Sequence, residues 1–234
     1  MNRPPALTAR AVPVAVLCTV ALLAALLTAG GATSAAPPAA AHHHEHGAHA
    51  NRPMNAREVA FHDGMRKLWE DHVTWTRLAI VAFSDGSQGF PETAGRLLQN
   101  QVDLGNAVRP FYGDRAADRL TALLRDHITI AVELLQAAKS GDTDAFEAAR
   151  ARWYANSDEI ADLLSSLNPK AWPRPVVRSM MRTHLDQTLT EAADELGGDY
   201  AGSVAAYDAI HDHILVMADT LSAGIMAQFP HRFR

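Results

Sequence analysis

The chain has 234 residues, of which 48% are hydrophobic and 20% are charged, which is typical of a globular protein with room for one domain and a leader. Residues 1–41 hold two arginines and no acid, so the rest carries 19 basic against 26 acidic residues. This acidic balance disfavours nucleic-acid binding. The single cysteine excludes a disulfide framework and any metal site built from several thiolates. No phosphate-binding loop, nucleophile elbow or HExxH motif indicates an enzyme class.

The N-terminus has the pattern of a secretory signal peptide. Arg3 and Arg10 precede an apolar run of 18 residues, 11–28, and small residues follow at 32–41. An uncleaved membrane anchor is the alternative, because a run of this length just suffices to cross a bilayer. We therefore expect residues 1–41 to be a leader. The protein is then secreted or held in the cell envelope, with membrane contact only through an uncleaved leader.

A histidine-rich segment follows the leader. Residues 42–54 are predicted to be a flexible linker, and five histidines fall within eight of these residues: His42, His43, His44, His46 and His49. Short histidine-rich tracts bind borderline metals such as Cu, Zn and Ni. The segment is therefore a candidate for metal capture, and a solvated linker without a biological metal is the alternative.

Residues 55–230 are predicted to form one all-α domain. Apolar residues recur there at spacings of three and four, and clusters containing glycine, proline or asparagine interrupt the pattern. Six helices are expected, over residues 55–84, 91–109, 115–139, 143–167, 174–196 and 200–228.

The six predicted helices group into three tandem hairpins of about 56 residues, because polar residues recur in matching contexts at intervals of 55 to 57. The matching positions are His72, His127 and His184 on the first, third and fifth helices, and Asn100, Asn156 and His213 on the second, fourth and sixth. Three copies of one hairpin predict a compact six-helix bundle.

Each of these six residues lies within the apolar stripe of its helix, so the sequence predicts a polar layer inside the bundle. The fifth helix is more polar, because Thr188 and Glu191 continue the face of His184. Asp103 and Glu159 lie one turn beyond the two asparagines. Burying such groups unpaired costs roughly 1–3 kcal/mol each, so they must bond to one another, to water or to a ligand.

A metal site would account for this layer, because facing helices supply histidines and carboxylates to the metal centres of bundle proteins. The candidate ligands are His72, His127, His184 and His213, with Asp103 or Glu159 completing the set and Asn100 and Asn156 bonding around it. Imidazole and carboxylate without thiolate suit a divalent transition metal, here Cu, Zn, Fe or Mn. The predicted function is therefore that of an exported metal-binding bundle whose partner is a metal ion.

Two alternatives remain open. A metal-free binding or structural protein of the cell envelope would use the layer as a hydrogen-bond network that fixes helix register. An enzyme that handles oxygen or peroxide at a pair of metals is the second, although the sequence lacks the Glu-x-x-His pairs of ferritin-like centres. The sequence thus favours a protein without catalytic activity.

Four stretches resemble a group of small bacterial helical proteins of unestablished function: residues 68–77 (LWEDHVTWTR), 100–106 (NQVDLGN), 110–113 (PFYG) and 152–159 (RWYANSDE). The resemblance covers most of residues 60–230 and implies domain boundaries but no mechanism. In architecture alone, the chain resembles ferritin-like or hemerythrin-like bundles. This resemblance concerns the fold and implies no functional residue in this sequence.

Overall fold

The computed structural model describes residues 52–234, and every regular element in this range is helical. The elements are α1, Ala56–Ser84; α2, Phe90–Ser140; α3, Thr143–Leu167; α4, Arg174–Gly197; α5, Tyr200–Gln228; and a short 3₁₀ turn, Pro230–Phe233. The all-α prediction is confirmed. Within residues 52–234, no helix combines the length and the apolar character of a membrane span. Outside the described residues lie the predicted leader and the five histidines of the linker, His42, His43, His44, His46 and His49.

The predicted second and third helices form one element, α2, so five helices are described where the sequence predicted six. At Gly113, inside α2, φ is 79° and ψ is 174°, which is not helical backbone. Gly105 packs directly against Thr121, because a β-carbon at Gly105 would clash with Thr121 Oγ1. Sixteen residues of straight helix would separate these two positions by about 24 Å. The chain therefore doubles back at Gly113, and the two halves of α2 lie against each other.

Three tight turns between helices share one backbone conformation. Gly86 follows α1, Gly141 ends α2 and Gly198 ends α4, with φ of 65°, 73° and 80°. This left-handed region favours glycine because the residue lacks a β-carbon. At the last two turns the next residue, Asp142 or Asp199, caps the following helix by accepting a backbone N–H at 3.0 Å. The matching Gly-Asp pairs of the sequence therefore form matching turns.

The helices pack against their neighbours in chain order, and α5 also packs on α1. The main core includes Trp69, Ile160 and Ile214, and smaller apolar clusters form around Trp153 and around Ile80. Burying an aliphatic side chain of this kind stabilises the fold by about 1.5–3 kcal/mol. Residues of both smaller clusters also line a cavity, which they share with the predicted polar layer.

Candidate functional site

Three of the four predicted histidine ligands lie on one cavity. His72 on α1, His127 on α2 and His184 on α4, here called the cavity histidines, are at most 4% exposed. They line a cavity of about 50 Å³ whose remaining wall is almost entirely apolar. Such a volume holds an ion or roughly a few water molecules, and sites for organic ligands usually measure about 300–1,000 Å³. This cavity is the candidate functional site.

The fourth predicted ligand, His213, and the two asparagines tie neighbouring helices together. The bonds run from Asn100 Nδ2 to Leu68 O at 2.9 Å, from Asn156 Nδ2 to Leu123 O at 3.0 Å, and from His213 Nε2 to Met180 O at 2.9 Å. Each accepting carbonyl lies four residues before one of the cavity histidines. One nitrogen of each of these three side chains is therefore used in a hydrogen bond that holds two helices in register.

Asn156 fixes the position of the proton on His127. Because Asn156 Nδ2 donates to Leu123 O, its Oδ1 is the acceptor that lies 2.9 Å from His127 Nδ1. His127 therefore carries its proton on Nδ1 and its lone pair on Nε2. Trp153 holds the same residue from another side, since its Nε1 donates to His127 O and its ring stacks on the imidazole at 5.0 Å. Metal-bound histidines are commonly oriented by such a bond to the second ring nitrogen.

The other two cavity histidines, His72 and His184, lie side by side, with ring centroids 5.7 Å apart. Their surroundings leave polar atoms without a hydrogen-bond partner in the described part of the chain: His184 Nδ1, Gln101 Oε1 and Trp69 Nε1. Gln101 and Trp69 both contact His72, through an N···N distance of 3.3 Å and a ring separation of 5.9 Å. Buried polar atoms normally have partners, so the pair marks a place for water or a ligand.

Burial keeps the cavity histidines neutral. Desolvation lowers the pKa of His72 to about 3 and that of His127 to about 4, and it lowers the pKa of His184 well below its usual value. The neighbouring imidazoles lower the pKa values of His72 and His184 further. The neutral imidazole is the form that binds metals, so no proton need be driven from these rings near pH 7.

The two predicted carboxylate ligands lie near the surface and do not line the cavity. Asp103 accepts a hydrogen bond from Gln99 at 3.1 Å, and Glu159 pairs with Arg119 at 3.0 Å. Each acid comes three residues after an interior asparagine, a step that turns it about 60° around the helix and towards solvent. Within residues 52–234, no group of three or more His, Cys, Asp or Glu side chains is arranged to hold a metal ion.

A second buried polar region, which sequence reasoning missed, lies on α1 and α4, the helices of His72 and His184, and on α5. Arg77 Nη1 donates to Glu191 Oε1 at 2.8 Å and to Ser203 Oγ at 3.0 Å, and Ser203 Oγ donates to Glu195 Oε2 at 2.6 Å. We call these four residues the arginine–glutamate cluster. Desolvation raises the pKa of Glu191 to about 7, although Arg77 opposes the shift. The polar face of α4 was the available signal for Glu191, and nothing in the spacing singled out Arg77.

Comparison with known proteins gives no match: no family model fits the chain, and no curated protein and no solved structure matches it significantly. The resemblance to small bacterial helical proteins therefore stays a prediction.

Proposed function

We propose that this protein is an exported metal-binding helical bundle whose interior site is the cavity lined by the cavity histidines. The observation that carries the proposal is the convergence of three neutral imidazoles on one small cavity. His127 presents a lone pair at Nε2, and His184 Nδ1 has no partner in the described part of the chain. In this proposal Asn100, Asn156 and His213 hold the helices, and the histidine-rich segment 42–49 collects metal from outside.

The six-helix, three-hairpin architecture belongs to the same proposal. The reversal at Gly113 divides α2 into two facing halves, and a left-handed glycine stands at the turn of each proposed hairpin. The cross-helix bonds of Asn100, Asn156 and His213 recur at matching positions. These features support three copies of one hairpin arranged around the cavity.

Elemental analysis tests the metal proposal. Residues 51–234 are a compact unit by themselves, so they can be prepared without the histidine-rich segment. After loading with Fe, Cu, Zn or Mn and desalting, we expect near-stoichiometric metal that is lost in His184→Ala. The matched control is His211→Ala, because His211 pairs with the surface residue Glu70. Absence of metal from the unsubstituted protein after all four loadings would refute an interior site.

The role of the histidine-rich segment needs a separate experiment. Deleting residues 42–49 from the exported protein should slow the uptake of metal by the bundle, because the segment then no longer raises the local metal concentration. An unchanged rate and amount of uptake would remove the segment from the proposed function.

A metal-free protein of the cell envelope is the second candidate, and the three cross-helix bonds favour it, since they already give half of the polar layer a structural role. Water would then satisfy the remaining atoms of the cavity. The two candidates differ in their response to metal, because an ion that binds only the native state raises the melting temperature. The di-metal enzyme has no comparable support, because Asp103 and Glu159 do not line the cavity.

A further inference from the structure

We propose that His72 and His184 bind a single copper(I) ion in the cavity, an inference that rests on the proposed metal-binding function and names its metal. The two rings come from α1 and α4, with centroids 5.7 Å apart and planes inclined at 49°. Both side chains are at least nine-tenths buried, and His184 Nδ1 is enclosed without a hydrogen-bond partner in the described part of the chain. The pair thus brings two imidazoles together on one cavity.

The number of ligands selects the metal. Structural zinc takes four protein ligands and catalytic zinc takes three, and manganese prefers six ligands that are mostly oxygen. Among residues 52–234, no group of three His, Cys, Asp or Glu side chains is arranged to hold a metal ion, so His127 lies on the cavity without completing a set of three. Copper(I) has a filled d shell and is stable with two nitrogen ligands, and imidazole suits copper. A site with two histidines therefore fits copper(I) better than the divalent alternatives.

The charge of the surroundings selects the same ion. No carboxylate lines the cavity, and besides the cavity histidines and two threonines its wall is formed by apolar and aromatic side chains. The free energy needed to move an ion out of water rises with the square of its charge, so a divalent ion is far more costly to bury without an anion. Copper(I) with two neutral imidazoles carries one positive charge, and the cavity of about 50 Å³ has room for the ion.

Gln101 acts as a positioning residue in this proposal. Its Nε2 lies 3.3 Å from His72 Nδ1, which leaves Nε2 of His72 as the ligand atom. Coordination through Nε2 moves the ring proton to Nδ1, and that proton then needs an acceptor. The enclosed Oε1 of Gln101 has no other partner among residues 52–234. It supplies the acceptor when the carboxamide turns, at the cost of the bonds from Gln101 Nε2 to Leu97 O and Asn100 Oδ1.

The test titrates residues 51–234 with copper(I) under anaerobic conditions, against a chromogenic copper(I) chelator. We expect one copper(I) per chain, with affinity reduced at least tenfold in His72→Leu and in His184→Leu. His211→Leu is the matched control and should bind as the unsubstituted protein does, because His211 lies at the surface. Gln101→Leu should weaken binding while the stoichiometry stays at one. Circular dichroism establishes that each variant is folded.

If the leucine variants do not fold, X-ray absorption spectroscopy of the copper-loaded unsubstituted protein gives the number and type of atoms bound to copper. We expect two nitrogen neighbours. Oxygen neighbours, three or more ligands, or affinity unchanged in folded His184→Leu would overturn the copper(I) site. Zinc, iron or manganese bound at one per chain in place of copper(I) would overturn this inference and leave the proposed function standing. Failure of every metal to bind would overturn both.

Discussion

The cavity histidines and the arginine–glutamate cluster are two buried polar regions carried in part by the same helices, α1 and α4. In the cluster the side chains satisfy one another, since Arg77 bonds Glu191 and Ser203, and Ser203 bonds Glu195. In the cavity His184 Nδ1 has no partner among the described residues. A buried polar group that is satisfied inside the protein needs nothing further, whereas one that is unsatisfied calls for water or a ligand. The difference supports the cavity, rather than the cluster, as the proposed binding site.

The two regions also respond to pH in opposite directions. The pKa values of the cavity histidines are lowered, so the unfolded chain takes up protons below about pH 6.5 while the folded chain does not. The pKa of Glu191 is raised to about 7, so the folded chain keeps a proton that the unfolded chain releases above its ordinary pKa of 4.5. The histidines therefore destabilise the fold as the pH falls, and Glu191 destabilises it as the pH rises.

Acid unfolding is the largest expected effect. Between pH 6.5 and 4.5 the unfolded chain holds about three more protons at the cavity histidines than the folded chain does. The folded chain holds about one more proton at Glu191 than the unfolded chain does, so the net difference is about two protons. Each proton changes the free energy of unfolding by about 1.4 kcal/mol per pH unit, so we expect a loss of about 3 kcal/mol per unit. Urea denaturation at pH 7, 6 and 5 measures it. In His127→Gln the slope should fall by about 1.4 kcal/mol per unit, and an unchanged slope would contradict the burial of a neutral His127.

Removing the guanidinium from the arginine–glutamate cluster is next in size. In Arg77→Met the buried carboxyl group of Glu191 loses its cation, and breaking a buried pair in this way costs about 3 kcal/mol or more. The loss should be greater at pH 8 than at pH 5, because Glu191 is protonated at the lower pH. Urea denaturation of the variant at both pH values gives the comparison. Arg119→Met, which breaks a surface pair, is the control and should change stability by less than about 0.5 kcal/mol.

A smaller loss of stability is expected when a hydrogen bond that holds helix register beside the cavity is removed. Asn156→Leu leaves His127 Nδ1 and Leu123 O without their partner, so we expect a loss of about 2 kcal/mol. The same substitution at the exposed Asn106 should have little effect. Thermal melting measures both variants. If Asn156→Leu melts at the same temperature as the unsubstituted protein, Asn156 does not hold His127 in the orientation that the site requires.

Much of the fold could be predicted from the sequence, because the signals are local. The spacing of apolar residues located the helices, and Gly141 and Gly198 marked turns that only a residue without a β-carbon adopts readily. The reversal at Gly113 was expected as a break between helices, and the structure joins the two segments into one element around it. Helix ends and turns are decided within a few residues, so the sequence contains the information needed.

The candidate site could be predicted only in part, because it depends on contacts between helices. Periodicity placed His72, His127 and His184 in the interior, and all three line the cavity. It did not show that Gln101, directly after Asn100, is also fully buried. A helix enclosed on more than one side buries adjacent residues, and an analysis of one helix face cannot reveal this. The partnership of Arg77 with α4 likewise exists only in the assembled bundle.

The smallest effect is expected when the two surface carboxylates that do not line the cavity are neutralised. Asp103→Asn and Glu159→Gln remove charges from partly exposed ion pairs, in which the acid lies 3.9 Å from Arg96 and 3.0 Å from Arg119. Such pairs contribute about 0–1 kcal/mol, so melting should barely change. Metal content after loading should also stay the same, because neither carboxylate lines the cavity. A double variant that lost its metal while staying folded would mean that the helices rotate to bring carboxylates inward on binding. The ion would then be divalent, and the interior site would need the full set of histidines and acids rather than two imidazoles.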